Sequence, residues 1–228
     1  SRFSLQANRT RVGHQEALLL QHLREEGLIA PRYLFVNLSV NNKQMGVMAL
    51  EEHFTKELME SQNRRESVIM ALDESYHWRE QSGEFDDVIK NSYAYPFKPF
   101  NENDVRGSRV LSGYLREALG LLRGYSEGWI DSEDIFNMTL YGQWLAVLNL
   151  WNAGHGLAPH NLRFYYNPIN RLFEPVAFDN QARTDTGKDD FHGAGFVQLS
   201  SSQQFISSYT ETLNKLRDQL NNGVLGNR

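Results

Sequence analysis

Between Ile135 and Asn152, apolar residues including Phe136, Leu140, Trp144, Leu148 and Trp151 fall so densely that they cover most of a helix's circumference. A helix that is apolar on every side must be enclosed, so the rest of the chain is expected to wrap around it. Its strongest stretch, Leu145 to Trp151, is broken by Asn149 and falls far short of the roughly 20 apolar residues that a membrane span needs. With 228 residues, 40% of them hydrophobic, the chain can build one core or a small unit joined to a larger one. A net charge of -5 argues against nucleic acid or an anionic membrane as the main partner. The absence of cysteine excludes disulfides and thiolate metal sites. The chain opens at Ser1 in mid-pattern, which suggests a piece of a longer protein.

Local patterns on either side of that helix divide the chain in two. Phe3 to Ala7 alternates as a strand does, and a helix is expected from about Gln15 to Glu26, with Leu18, Leu19, His22 and Leu23 on one face and Gly27 as its stop. Tyr33–Val40 and Met45–Leu50 read as a hairpin around the polar turn Asn41-Asn42-Lys43-Gln44. Beyond it come a helix from about Phe54 to Glu60, a β-branched run from Ser67 to Leu72, and an irregular connection from Asp73 to Val105. Helical periodicity returns from Val110 to Leu122, then in the central helix, and finally from about Ser202 to Leu220. The expected class is α+β, with a small β-rich N-terminal part (about 1–52) and a mostly helical C-terminal part (about 53–228).

The central helix delivers the chain at Gly154 to the loop His155–Asn161, after which Leu162–Tyr166 and Leu172–Phe178 form a second hairpin ending at Asp179. Asn161 and Asp179, one at each end of this hairpin, are a plausible pair of oxygen ligands for a Mg²⁺ that clamps phosphates. That arrangement is kinase-like. A kinase also needs a base, and in protein kinases it lies five residues before the metal Asn, a position that falls on Gly156 here. His155, beside it, is the candidate catalytic base, or else a polar residue that ends the buried helix. His155, His160 and Asp179 could alternatively form a zinc site, although the spacing supplies no fourth ligand. Glu51 and Glu52 end the first hairpin, where they could pair with a cation, sit at a nucleotide-binding hinge or simply face solvent. Arg2, Arg9 and Arg11 are the early cations available to phosphate, because the first lysine is Lys43, and no glycine-rich phosphate loop is present.

Taken together, these segments resemble the CotH (spore coat protein H) kinase family. The run from Phe35 to Glu52, with its Asn41-Asn42 turn, Gly46 and terminal Glu51-Glu52, is similar to one signature of that family. His160-Asn161 opening the aromatic strand Phe164-Tyr165-Tyr166, followed by Pro175 and Phe178-Asp179, is similar to a second. The resemblance covers most of residues 1–180. It implies an atypical, bilobal protein-kinase-like fold that uses ATP and Mg²⁺ or Mn²⁺ to phosphorylate Ser-containing proteins, at a secreted, periplasmic or cell-surface location that includes spore coats.

By position, the resemblance makes Asn161 and Asp179 the metal ligands, and Arg2, Glu51 and Glu52 the nucleotide-binding residues. His155 stands beside the place of the family's catalytic Asp, Gln181 stands where a second acidic residue is common, and Arg2 would replace the usual early lysine. Loss of a general base typically costs about 10²–10⁴-fold in rate. The alternative expectation is therefore a silent pseudokinase that works as a binding or surface-interaction module with a structural protein partner.

Overall fold

The structure is a computed structural model that describes residues 2–11, 13–73, 75, 96–183, 197–199 and 201–223. It is a mixed α+β fold with two small antiparallel sheets. The first sheet has the order β1 (Phe3–Ala7), β3 (Lys43–Glu52), β2 (Tyr33–Val40). Asn41 and Asn42 make the β2–β3 turn, with φ of 50° and 62°. A two-residue hairpin loop needs positive φ at both positions, and asparagine tolerates it better than most side chains.

Helix α1 (His14–Glu25) connects β1 to β2, and Gly27, at φ 79°, turns the chain back as expected. Its inner face differs from the expected one. Leu18 is exposed, while Glu16, Leu19, Leu20, His22 and Leu23 are buried.

A short helix α2 (Lys56–Glu60) leads to β4 (Ile69–Leu72), whose four residues are all buried. β4 lies inside the second sheet, of order β5 (Phe97–Pro99), β4, β6 (Arg163–Asn167), β7 (Leu172–Pro175). The connection expected to be irregular up to Val105 thus contains an edge strand and helix α3 (Glu102–Gly107), while residues 76–95 lie outside the described part. Pro99 is tolerated in β5 because an edge strand can spare a donor. β7 is shorter than the expected Leu172–Phe178. Past Pro175, Val176 still donates to β6, at the Arg163 carbonyl at 3.0 Å, and the chain changes partner at Ala177, which donates to the Ile29 carbonyl at 2.8 Å. This ties the chain at Ala177 to the segment that follows α1 and carries Asp179 off the sheet to meet Arg11 and His155.

The central helix is also shorter than its apolar run. A one-turn helix α5 (Ser132–Ile135) follows α4 (Arg109–Ser126), and Phe136 then bridges to Phe173 before α6 (Met138–Leu150) begins. The Asn137 side chain caps α6 by accepting from Leu140 N–H at 3.2 Å, an arrangement that the apolar periodicity alone conceals. Asn152, at φ 48°, closes the C-terminal end in place of the expected Gly154.

Phe136 sits at the centre of an aromatic cluster with Tyr125, Tyr141, Phe164 and Phe173. The final helix α7 (Gln203–Asn221) packs along α6 at Gly142, where a Cβ would lie 2.7 Å from the Phe205 carbonyl oxygen. The apolar wrapping expected of α6 is therefore found. Among the described residues, no helix is long and apolar enough to cross a membrane.

Candidate functional site

Four segments meet at Asp179: the turn after β1, the end of β3, the 3₁₀ turns after α6, and the N-terminal turn of α1. Strand alternation decides which strand-end carboxylate reaches it. Glu51 pairs in register with Tyr33, and both turn inward, whereas Glu52 turns to the opposite face. There Glu52 accepts from the Arg32 backbone N–H at 3.1 Å and from its Nε at 3.0 Å. Glu52 is thus neutralised away from Asp179.

Arg11 joins the remaining two carboxylates. Its Nε lies 3.3 Å from Glu51 Oε2 and its Nη1 3.1 Å from Asp179 Oδ1. These are close charge pairs, but the N–H bonds are not aligned on the oxygens, so Nε and Nη1 have no hydrogen-bond partner among the described residues. The guanidinium also lies 4.5 Å from the centre of the Phe178 ring.

Burial pushes the Glu51 carboxyl above its ordinary value, and Arg11 and a short hydrogen bond from Gln6 only partly oppose this. The buried Tyr33 hydroxyl has no partner among the described residues, and burial followed by the Glu51 charge pushes it up. Arg2 lies elsewhere, exposed beside a groove of about 300 Å³ that also includes Thr55, Glu66 and Asp104.

The 3₁₀ turns Gly154–Leu157 and Pro159–Asn161 bring up the other expected residues. Asn161 is 3% exposed, and its Nδ2 donates to the His155 carbonyl at 3.0 Å. That bond leaves Oδ1 as the atom able to ligate a cation. His155 Nε2 stands 3.7 Å from Asp179 Oδ2, too far for a hydrogen bond, and its ring meets that of His160 edge-on at 5.8 Å. Arg163 donates to the carbonyls of His160 and Leu162 and stacks 4.3 Å from the Phe178 ring. Phe178 therefore fixes both the Pro159–Asn161 turn and Arg11 against Asp179.

No carboxylate fits at position 156. A Cβ on Gly156 would lie 2.3 Å from Asn180 Oδ1, so the space beside the loop is already filled by the asparagine that follows Asp179.

Among the described residues, no group of three or more His, Cys, Asp or Glu is placed to hold a metal ion. Such a group is what the zinc alternative would need. Mg²⁺ makes a smaller demand, because one or two side-chain oxygens suffice when phosphates and water complete its shell. Asp179 and Asn161 Oδ1 meet that demand in chemistry, and the spare Arg11 donors suit phosphate oxygens. A larger groove of about 540 Å³ lies elsewhere, lined by Leu18, Gln21 and Arg24 of α1 together with Arg32, Leu34 and Arg64. Its guanidiniums are engaged with protein acceptors, Arg24 with the Ala30 carbonyl, Arg32 with Glu52 and Arg64 with Glu174.

Sequence reasoning passed over Glu16, Tyr33 and Asn180. Glu16 had a readable signal, because it stands at helical spacing with Leu19, Leu20 and Leu23 and so puts a carboxylate on the apolar stripe of α1. Comparison with known proteins finds no family model that matches the chain and no significant match among curated proteins.

Proposed function

We propose that this domain is an atypical, kinase-like phosphotransferase that uses ATP with Mg²⁺ or Mn²⁺ and takes a protein hydroxyl as acceptor. In this reading the first sheet and α1 form the small lobe of a bilobal architecture, and the second sheet with α3–α7 forms the larger one. The observation that carries it is Arg11, an interior guanidinium with spare donors placed between Glu51 and Asp179. The resemblance of the two hairpins to the CotH family supports the same reading, with Arg11 taking the role given to an early lysine.

Asp179 and Asn161 would hold the divalent ion, which when bound neutralises charge on the phosphoryl group being transferred. Arg11 binds phosphate oxygens, and Glu51 keeps it turned towards them. Phe178 and Arg163 hold Asp179 against the 155–161 turns. His155 Nε2 accepts the proton of the acceptor hydroxyl.

A second reading, a silent module that binds nucleotide or a protein partner, is favoured by one contact. Asn180 fills the space at Gly156, so His155 is the nearest titratable group to Asp179 on that loop, and its Nε2 faces the Asp179 carboxylate. Incubation with γ-labelled ATP and Mn²⁺ tests the pair of readings. Label on the chain or on an added protein, lost in His155→Ala without loss of nucleotide affinity, supports the phosphotransferase. A thermal shift with nucleotide and metal but no label in wild type supports the silent module. Absence of both at millimolar ATP and metal overturns nucleotide binding altogether.

A further inference from the structure

Glu16 is completely buried in the first turn of α1, yet among the described residues no cation lies at hydrogen-bond distance from it. Instead its Oε1 accepts from the Asn180 backbone N–H at 3.0 Å and from Asn180 Nδ2 at 3.1 Å, and its Oε2 accepts from Ala182 N–H at 3.4 Å. These bonds join residues more than 160 positions apart in sequence.

The residues flanking Asn180 explain what such a carboxylate does. Asp179 and Gln181 both have left-handed backbone, at φ 47° and 50°. For a non-glycine residue that conformation is costly and persists only where the surroundings impose it. The alternation turns the N–H groups of Asn180 and Ala182 towards one point, and the Glu16 carboxylate occupies that point. On the far side, Gly156 admits Asn180 only because it has no side chain.

We infer that Glu16 is the positioning residue of the site: its carboxylate holds the 179–182 turn in its left-handed form and so aims Asp179 at the Arg11 side of the cluster. Arg11 precedes α1 and touches Asp179 Oδ1, so the N-terminal end of this helix grips the turn twice, once at the side chain and once at the backbone. The seat of α1 then sets how tightly Asp179 can take a cation. The role of Asp179 rests on the function proposed above, whereas the hold on the turn does not.

The test is Glu16→Gln in the full chain, with two readouts. Amide hydrogen exchange reads the turn itself. Losing the charged acceptor should speed exchange at Asn180 and Ala182 by about tenfold or more, from a hydrogen bond to a charged group, with the amides of β6 unchanged. Free-Mn²⁺ electron paramagnetic resonance, recorded with ATP, reads the site, and about tenfold weaker Mn²⁺·ATP binding is expected. Asn180→Ala, which deletes one donor to Glu16, should move both readouts the same way by less, and it carries the test if Glu16→Gln does not fold.

Unchanged exchange at Asn180 and Ala182 would overturn the hold on the turn. Faster exchange with Mn²⁺·ATP affinity intact would overturn the link from the turn to Asp179. Wild type that binds no Mn²⁺·ATP would overturn the proposed function, while faster exchange in Glu16→Gln would still uphold Glu16 as the residue that fixes this turn.

Discussion

Gly156→Ala should destabilise the fold although it adds one methyl group. The new carbon would stand 2.3 Å from Asn180 Oδ1 and 3.1 Å from Asn180 Cγ. To restore ordinary contact the amide must retreat by about 1 Å. It has little room to do so, since Asn180 is fully buried and its Nδ2 is bound to Glu16 at 3.1 Å. Overpacking of this kind costs about 1–3 kcal/mol. Loosening a hydrogen bond to a carboxylate adds roughly 1.5–3 kcal/mol, and the stiffer unfolded chain returns about 0.4–1 kcal/mol. The net loss is about 1.5–5.5 kcal/mol. For a chain of this size each kcal/mol lowers Tm by about 2–4 °C, so a fall of roughly 3–22 °C is expected. Thermal and urea melts at neutral pH measure it, with Gly113→Ala as the control. Gly113 lies within α4 with nothing within 4 Å of its Cβ position, and there alanine should be neutral or stabilising. A Gly156→Ala melt within about 1 °C of wild type would refute the contact, and would reopen position 156 to a carboxylate.

Asp179→Asn keeps a residue that tolerates left-handed backbone and removes the charge, so the fold should stand while metal-dependent stabilisation by ATP disappears; a melt that responds to Mn²⁺·ATP as wild type does would make Asp179 structural. Gly142→Ala should lower the urea midpoint by an amount corresponding to about 1–3 kcal/mol, because its Cβ would meet backbone atoms of α7, 2.7 Å from Phe205 O and 2.8 Å from Tyr209 N. Parity with Gly120→Ala, which meets nothing within 4 Å, would count against that helix contact. Burial raises the carboxyls of both Glu16 and Glu51, so between the ordinary carboxylate range and their raised values the folded chain holds more protons than the unfolded one. Their contribution to stability is therefore full in acid and lost as pH rises through the folded values. Glu16→Gln with Glu51→Gln should flatten this decline in urea titrations from about pH 4 to 7, and an undiminished slope would show that other groups set it.

The parts of the fold legible in the sequence were those with a local cause. Asn41-Asn42-Lys43-Gln44 announced a hairpin because a polar run between two β-rich runs reads as a turn, and the apolar residues of α6 announced enclosure. What escaped was set by partners distant in sequence. β7 ends at Pro175 because Ala177 leaves β6 for the Ile29 carbonyl, and β5 exists because β4 offers it an edge. At the site, Asn161 and Asp179 stood out as polar residues at hairpin ends. Arg11 was one of three early arginines with nothing local to favour it, and its choice over Arg2 depends on where β3 places Glu51. Asn180 was invisible for a related reason: its importance lies in Gly156 on one side and Glu16 on the other.

The charge balance around Arg11 leads to the last expectation. Arg11 stands between Glu51, whose side chain is 8% exposed, and Asp179, whose side chain is 25% exposed. Arg11→Met keeps most of the length and apolar bulk of the stem but removes the charge. Breaking a buried pair from one side costs about 3–5 kcal/mol, and the partial exposure of Asp179 moderates its share. The loss should depend on pH in a defined direction. Burial already raises the Glu51 carboxyl, and Arg11 is the largest influence lowering it. Without Arg11 that carboxyl rises further, so protonation relieves the variant more than the wild type. Arg11→Met should therefore be most destabilising near pH 7 and approach wild type towards about pH 5, apart from the stacking on Phe178, worth about 0.5–1 kcal/mol at any pH. Urea midpoints at the two pH values decide it. A deficit equal at both would mean that Arg11 acts through packing on Phe178 and not through the two carboxylates, and the arginine would lose its claim to be the phosphate-binding cation of the site.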